Sequence, residues 1–125
     1  MIEEVTVNAL IIEDEPAISS LCRRILTGEG FYVTIVDNGQ DAEEAVAAQE
    51  YDLLLVDIRL PVESGLDFYV WLVQTYPRMA GRVVFMTGGM MGGETMRLLE
   101  KSKRPYLMKP FRPFELKGII ADIHR

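Results

Sequence analysis

Four short stretches carry groups that could do chemistry: Glu13 and Asp14 in "IIEDEP", Asp57 in "YDLLLVDIRLP", Thr87 and Gly88 in "VVFMTGG", and Lys109 in "YLMKPF". Each group follows directly on an apolar run. Each also has a plain structural alternative. Asp57 can begin a turn by bonding back to its own backbone. Glu13 and Asp14 can be favourable acids at a helix N-terminus, with Asp14 as N-cap. Thr87 can be a loop hydroxyl and Lys109 a surface charge. Together they favour a single site, because three converging carboxylates repel one another unless a cation sits among them. An all-oxygen acidic pocket suits a hard ion such as Mg2+, which takes one or two carboxylates and keeps several waters. An Asp beside Mg2+, a hydroxyl and an ammonium can act as a nucleophile toward phosphorus and form an acyl phosphate. Mg2+ and Lys109 would spread the charge of the transferred oxygens, and Thr87 could hydrogen-bond one of them.

The elements that must position these groups alternate along the chain. The apolar runs "ALII" (9–12), "YVTIV" (32–36), "LLLV" (53–56), "VVFM" (83–86) and "YLM" (106–108) read as five strands. Between them lie stretches of helical period. Ile18, Leu21, Cys22, Ile25 and Leu26 form one stripe, and Ala42, Ala45, Val46 and Gln49 a weaker one. Leu66, Tyr69, Val70 and Val73 form a third, and Leu116, Ile119, Ile120 and Ile123 a last. A further helix near 93–102 is less marked. Gly28 and Gly30 close the first helix, Gly39 and Gly65 open the second and third, and Pro77 follows the third. Strands that are nearly all apolar are covered on both faces, so the order implies a parallel sheet between two helix layers. The expected fold is α/β: a doubly wound, open (βα)5 sheet with strand order 2-1-3-4-5, a three-layer flavodoxin-like sandwich. Such sheets bind ligands beyond the carboxyl ends of the strands, where strand order reverses. All four stretches end on that edge.

Composition narrows the function classes. The 125 residues suit one domain, 1–125, able to bury a core without staples. A formal charge of −6 argues against direct nucleic-acid binding; Arg23 and Arg24 read as a solvated helix face. No apolar run approaches the roughly 20 residues needed to cross a bilayer, and "MIEEVTVNALIIEDEP" has no basic start, so a cytoplasmic location is expected. Cys22, the only cysteine, falls in an apolar stripe and reads as a buried thiol.

In order, "ALIIEDEP", "LLLVDIRLPVESGLD", "VVFMTGG" and "RPYLMKPF" resemble the receiver domain of two-component response regulators, with a CheY-like fold, over practically the whole chain. The resemblance implies that Asp57 is the phosphoacceptor. It implies Mg2+ held by Asp14, Asp57 and the backbone carbonyl of Arg59, with Glu13 acting through water. Thr87 matches the switch hydroxyl, Tyr106 the switch aromatic and Lys109 the lysine that contacts the phosphoryl group. Gly88 leaves the approach to Asp57 open, and the bond from Lys109 to Pro110 is expected to be cis. The implied partner is a histidine kinase or phosphotransfer domain whose phosphohistidine supplies the group. The implied output is a change in the face made by the fourth helix, the fifth strand and the fifth helix. A receiver of this kind is not a turnover enzyme. Its style is most similar to receivers of hybrid histidine kinases, so it could serve within a membrane-anchored kinase.

Two other functions stand beside this one. A receiver-like docking module would work without phosphorylation, against which the set Asp14, Asp57, Thr87 and Lys109 counts. A Mg2+-dependent phosphohydrolase of haloacid-dehalogenase type would want a second Asp where Arg59 stands. Some features depart from the family or stay open. Arg112 precedes Pro113 where family members often have Asp or Asn, so no side-chain oxygen caps the last helix, a loss of about 1 kcal/mol. The stretch "TGGMMGGE" reads as a switch loop, because no "GKS" or "GKT" follows its glycines. Met90, Met91 and Met96 are either core filler or an adaptable patch. Trp71 falls with Asp67 and Gln74, off the third stripe, as an exposed aromatic or a docking contact.

Overall fold

The computed structural model describes residues 6–89 and 92–123. Strands β1 (Val7–Ile12), β2 (Phe31–Val36), β3 (Leu53–Asp57), β4 (Val83–Gly88) and β5 (Tyr106–Lys109) form one parallel sheet in the order β2-β1-β3-β4-β5. The helices are α1 (Pro16–Gly28), α2 (Gly39–Ala48), α3 (Gly65–Thr75), α4 (Pro77–Ala80), α5 (Gly93–Ser102) and α6 (Pro113–Ile123). The expected α/β sheet and its strand order are present. The strands extend beyond the apolar runs, so Asp57, Thr87, Gly88 and Lys109 are strand residues, not first loop residues. Short α4 left no periodic signal because a single turn holds no stripe; Pro77 suits its first position, where no N–H partner is needed.

The all-apolar strands are divided by period-two alternation. Leu10, Ile12, Leu54, Val56 and Phe85 pack with Ala42, Val46, Phe68, Leu72 and Leu99 on the side of α2, α3 and α5. Ala9, Ile11, Leu53, Leu55, Val84 and Met86 pack with Cys22, Leu26, Leu116 and Ile120 on the side of α1 and α6. Fully burying one such side chain is worth about 1.5–3 kcal/mol. Cys22 is fully buried with its Sγ 3.9 Å from Met86 Sδ, and burial pushes its thiol up to about 12, so it packs and does not react. Met96 packs against the core as filler; Met90 and Met91 lie outside the described residues, as do His124 and Arg125.

Helix entries are set locally. The side chains of Asn38 and Ser64 accept from Asp41 N–H at 2.8 Å and Asp67 N–H at 3.1 Å, capping α2 and α3. The structural alternative for Asp14, an N-cap of α1, does not hold: Pro16 takes the first turn, so the N-cap is Glu15, whose side chain makes no cap bond.

The third stripe is also corrected. Leu66, Tyr69, Val70 and Val73 do not form the buried face of α3; Gly65, Phe68 and Leu72 do. Trp71 is half-buried, with its ring 5.9 Å from those of Phe68 and of Tyr76, and is not a free exposed aromatic. An almost wholly apolar helix has no single stripe to read. Its rotation is decided by Gly65, whose N–H donates to Ile58 O at 2.9 Å and whose Cα lies against the Asp57 carbonyl, where a Cβ would collide.

Two predictions follow the loop between β3 and α3. Val62 has φ 69° and is 97% exposed, a left-handed conformation that strains a β-branched residue without a packing return. Val62→Gly should therefore raise stability by about 1 kcal/mol, seen as a higher urea midpoint. Gly65→Ala should lower stability by about 2 kcal/mol or more, because backbone at Asp57 must move; an unchanged midpoint would refute that fit.

Candidate functional site

Lys109 organises the carboxyl edge of the sheet. Its Nζ donates to Glu13 Oε1 at 2.7 Å and Oε2 at 3.0 Å, and to Asp57 Oδ2 at 3.2 Å; Glu15 Oε1 lies at 3.6 Å. The pleat explains the meeting. Glu13, Asp57 and Lys109 stand two residues beyond Ile11, Leu55 and Leu107, so all three share the α1 and α6 side of the sheet. Register brings them level: Ile12 pairs with Val56, Asp57 with Met86, and Gly88 with Lys109.

Glu13 and Asp57 are buried, while Asp14 is exposed at the lip. Ligand oxygens of all three lie within 4.8 Å of one another. Burial pushes Glu13 up to about 7 against the lowering pull of the Lys109 ammonium, and the Asp57 charge adds to the rise. Burial alone would lower Lys109, but its bonds and charge pairing with Glu13 and Asp57 outweigh that and hold it above its ordinary value. Asp57 Oδ1 accepts from Arg59 N–H at 3.0 Å, the turn bond that its residue type suggests, and this fixes the carboxylate's orientation.

A cleft of about 410 Å³ opens over these groups, lined by Asp14, Glu15, Asp57, Arg59, Gly88 and Lys109 among others. Thr87 is fully buried beside Gly88, and its Oγ1 has no hydrogen-bond partner. An orphaned buried hydroxyl is costly, by about 1–3 kcal/mol, unless some state of the site supplies its partner. The donor set is all oxygen and acidic, which fits a hard divalent cation. Tyr106 is not part of the cleft; it is 41% exposed on the edge strand β5. The bond from Lys109 to Pro110 is cis.

Three residues here escaped sequence reasoning. Glu15 shares the "EDEP" run, and a third acid there was the available signal. Gly65 carried a helix-start signal but nothing about its approach to Asp57. Glu63 gave no signal, because its partners lie elsewhere in the chain. Its side chain packs against Gly39 at the start of α2, and its Oε2 is buried without a hydrogen-bond partner. Burial pushes Glu63 up to about 7, and the Glu43 carboxylate within hydrogen-bonding reach, then Asp67, add to the rise. A proton on Glu63 donated toward Glu43 would pair the two acids and tie the Asp57 loop to α2.

Because Glu63 is raised from 4.5 to about 7, its stabilising contribution is complete below the lower value and lost as pH rises through the upper. Glu63→Gln keeps the hydrogen bond without the proton. Its urea midpoint should fall less than that of the unaltered chain between about pH 5 and about pH 8; parallel curves would refute the shared proton.

With the geometry in hand, comparison with known proteins is specific. The family model described as "Response regulator receiver domain" matches residues 9–121. The DNA-binding response regulator MtrA of Mycolicibacterium smegmatis is 31% identical over 108 residues, covering 86% of this chain and 46% of that protein. The transcriptional activator protein IrlR of Burkholderia pseudomallei is 33% identical over 118 residues, covering 93% and 49%. The chain thus spans about half the length of the curated relatives it matches. Among solved structures, the receiver domain of sensor histidine kinase PA1611 from Pseudomonas aeruginosa has a TM-score of 0.83 at 28% identity, covering 97% of this chain and 100% of that one. That structure has a magnesium ion coordinated in its active-site cleft. The Vibrio cholerae chemotaxis protein CheY4 matches in fold, with a TM-score of 0.83 at 18% identity, covering 95% and 99%. Matched along nearly its whole length by the receiver model, the chain belongs to the response regulator receiver domain family, the phosphoacceptor module of two-component systems.

Proposed function

We propose that Asp57 is the phosphoacceptor of this chain, and that residues 1–125 act as a single receiver unit. The observation that carries the reading is the arrangement around Asp57: a buried carboxylate held by Arg59 N–H, bridged by Lys109 and open to a cleft on one side. The phosphohistidine of a histidine kinase or phosphotransfer domain presents its phosphorus to an Asp57 oxygen. The oxygen–phosphorus bond forms as the nitrogen–phosphorus bond breaks, and the leaving imidazole keeps its electron pair. Lys109 exchanges part of its bonding with Glu13 for a phosphoryl oxygen, and Thr87 Oγ1 donates to another. The orphaned hydroxyl then has its partner.

Asp14, Asp57 and the backbone carbonyl of Arg59 would hold Mg2+, with Glu13 reaching it through water. When bound, Mg2+ neutralises the carboxylates and the charge on the transferring oxygens. The acidic cluster and the magnesium in the cleft of the PA1611 receiver support this assignment. Because the acceptor is itself modified, the domain is a switch and not a turnover catalyst. Exposed Tyr106, Met108 and Phe114 make the face of α5, β5 and α6 the output surface, with Tyr106 turning inward as Thr87 is drawn to the phosphoryl group. An output domain or partner protein would read that face. Among the described residues no helix is long and apolar enough to cross a membrane; a cytoplasmic site of action, free or within a membrane-anchored kinase, fits the chemistry.

The test is intact-mass measurement after incubation with Mg2+ and a small phosphodonor. The unaltered chain should gain one phosphoryl group, and none when Mg2+ is chelated before mixing. Asp57→Ala should gain none, and labelling of that variant to the same extent would overturn the assignment.

A further inference from the structure

The correction to α3 leaves an apolar surface that the phosphoacceptor chemistry does not use. Val70 and Val73 of α3 are 51% and 44% exposed, and Leu98 of α5 is 44% exposed. They face one groove of about 330 Å³ between the two helices, whose floor is Leu66 and Tyr69 and whose rim carries Lys101. The floor is firm: the Tyr69 ring packs edge-on against Phe85 of β4 at 5.2 Å, so the groove rests on the core. Leu66, Tyr69, Val70 and Val73 repeat at i, i+3, i+4 and i+7, a ridge that an apolar helix face can pack along.

Charge identifies the occupant. The chain carries a net −6, yet residues 97–104, "RLLEKSKR", hold Arg97, Lys101, Lys103 and Arg104 against Glu100 alone. Of these, Lys101 lines the groove, which gives its rim a positive charge on an acidic protein. Three half-exposed side chains are too small a patch for a stable homodimer, which needs about 800 Å² from each partner. A single apolar helix face needs only such a patch.

We propose that the groove between α3 and α5 is a docking site for an amphipathic helix of a partner protein, with its apolar face on Val70, Val73 and Leu98 and an acidic flank toward Lys101. This surface shares α5 with the face of α5, β5 and α6 but lies on the side of α5 toward α3. Its walls start at the two loops that leave Asp57 and Thr87, so an occupant would lie beside the elements that the switch moves.

The probe is a synthetic amphipathic helix with leucines at i, i+3, i+4 and i+7 and glutamates along one flank, against the same peptide with lysines. Amide shifts of the unmodified chain are followed by NMR, so the outcome does not depend on phosphorylation. The glutamate peptide should shift groove residues, and Val70→Glu and Leu98→Glu, on opposite walls, should each weaken it about tenfold. Lys101→Glu should reduce the preference for the glutamate peptide by about threefold. Circular dichroism checks the fold of each variant, and half-exposed positions tolerate the change. Absence of groove shifts, equal binding of the lysine peptide, or unchanged binding by both wall variants would overturn the proposal. Concentration-dependent dimerisation through the groove would overturn it in favour of a second copy.

Discussion

Lys109 holds three strand ends together. Its ammonium lies between Glu13 and Asp57, whose convergence would otherwise place two buried negative charges against each other. A buried pair broken by removing one partner costs about 3–5 kcal/mol, so this contact ties the stability of the sheet edge to the chemistry of the cleft. A dication entering beside Asp14 would relieve the same repulsion in another way. Lysine and metal are thus alternative solutions to one electrostatic problem, and an exchange between them would free the ammonium for a phosphoryl oxygen.

The surroundings keep that problem in place. Gly65 brings α3 onto the carbonyl of Asp57, and Arg59 N–H fixes one carboxylate oxygen. Glu63 packs the loop against Gly39 at the start of α2. The same contact at Gly65 sets the rotation of α3, burying Phe68 and Leu72 and leaving Val70 and Val73 outward. The orientation of Asp57 and the exposed groove beside α5 share this cause. Thr87 is the contrasting element, since its hydroxyl is buried without a partner while both Asp57 oxygens are bonded. Stored polar dissatisfaction at that position favours any state that brings an acceptor to it.

The sequence by itself determined the sheet and most of the site. Five apolar runs separated by helical stretches leave little choice but a parallel sheet between helix layers, because backbone polar groups and apolar faces must both be satisfied. Strand ends follow from where each run stops, and the residues at those ends are Glu13, Asp57, Thr87 and Lys109. Local chemistry was legible for the same reason: neighbouring residues supply the signal. What only the tertiary structure decided depends on partners distant in the chain. The rotation of α3 was hidden because Leu66 to Val73 is apolar on nearly every side, and one contact at Gly65 broke the tie. Between the two readings of Asp14, the structural one falls because Pro16 in the first turn puts the N-cap of α1 at Glu15. The Glu63 carboxyl is pushed up only because Gly39 left room to bury it and Glu43 came alongside. Burial and charge pairing are sums over spatial neighbours, and those neighbours exist only once the sheet has assembled.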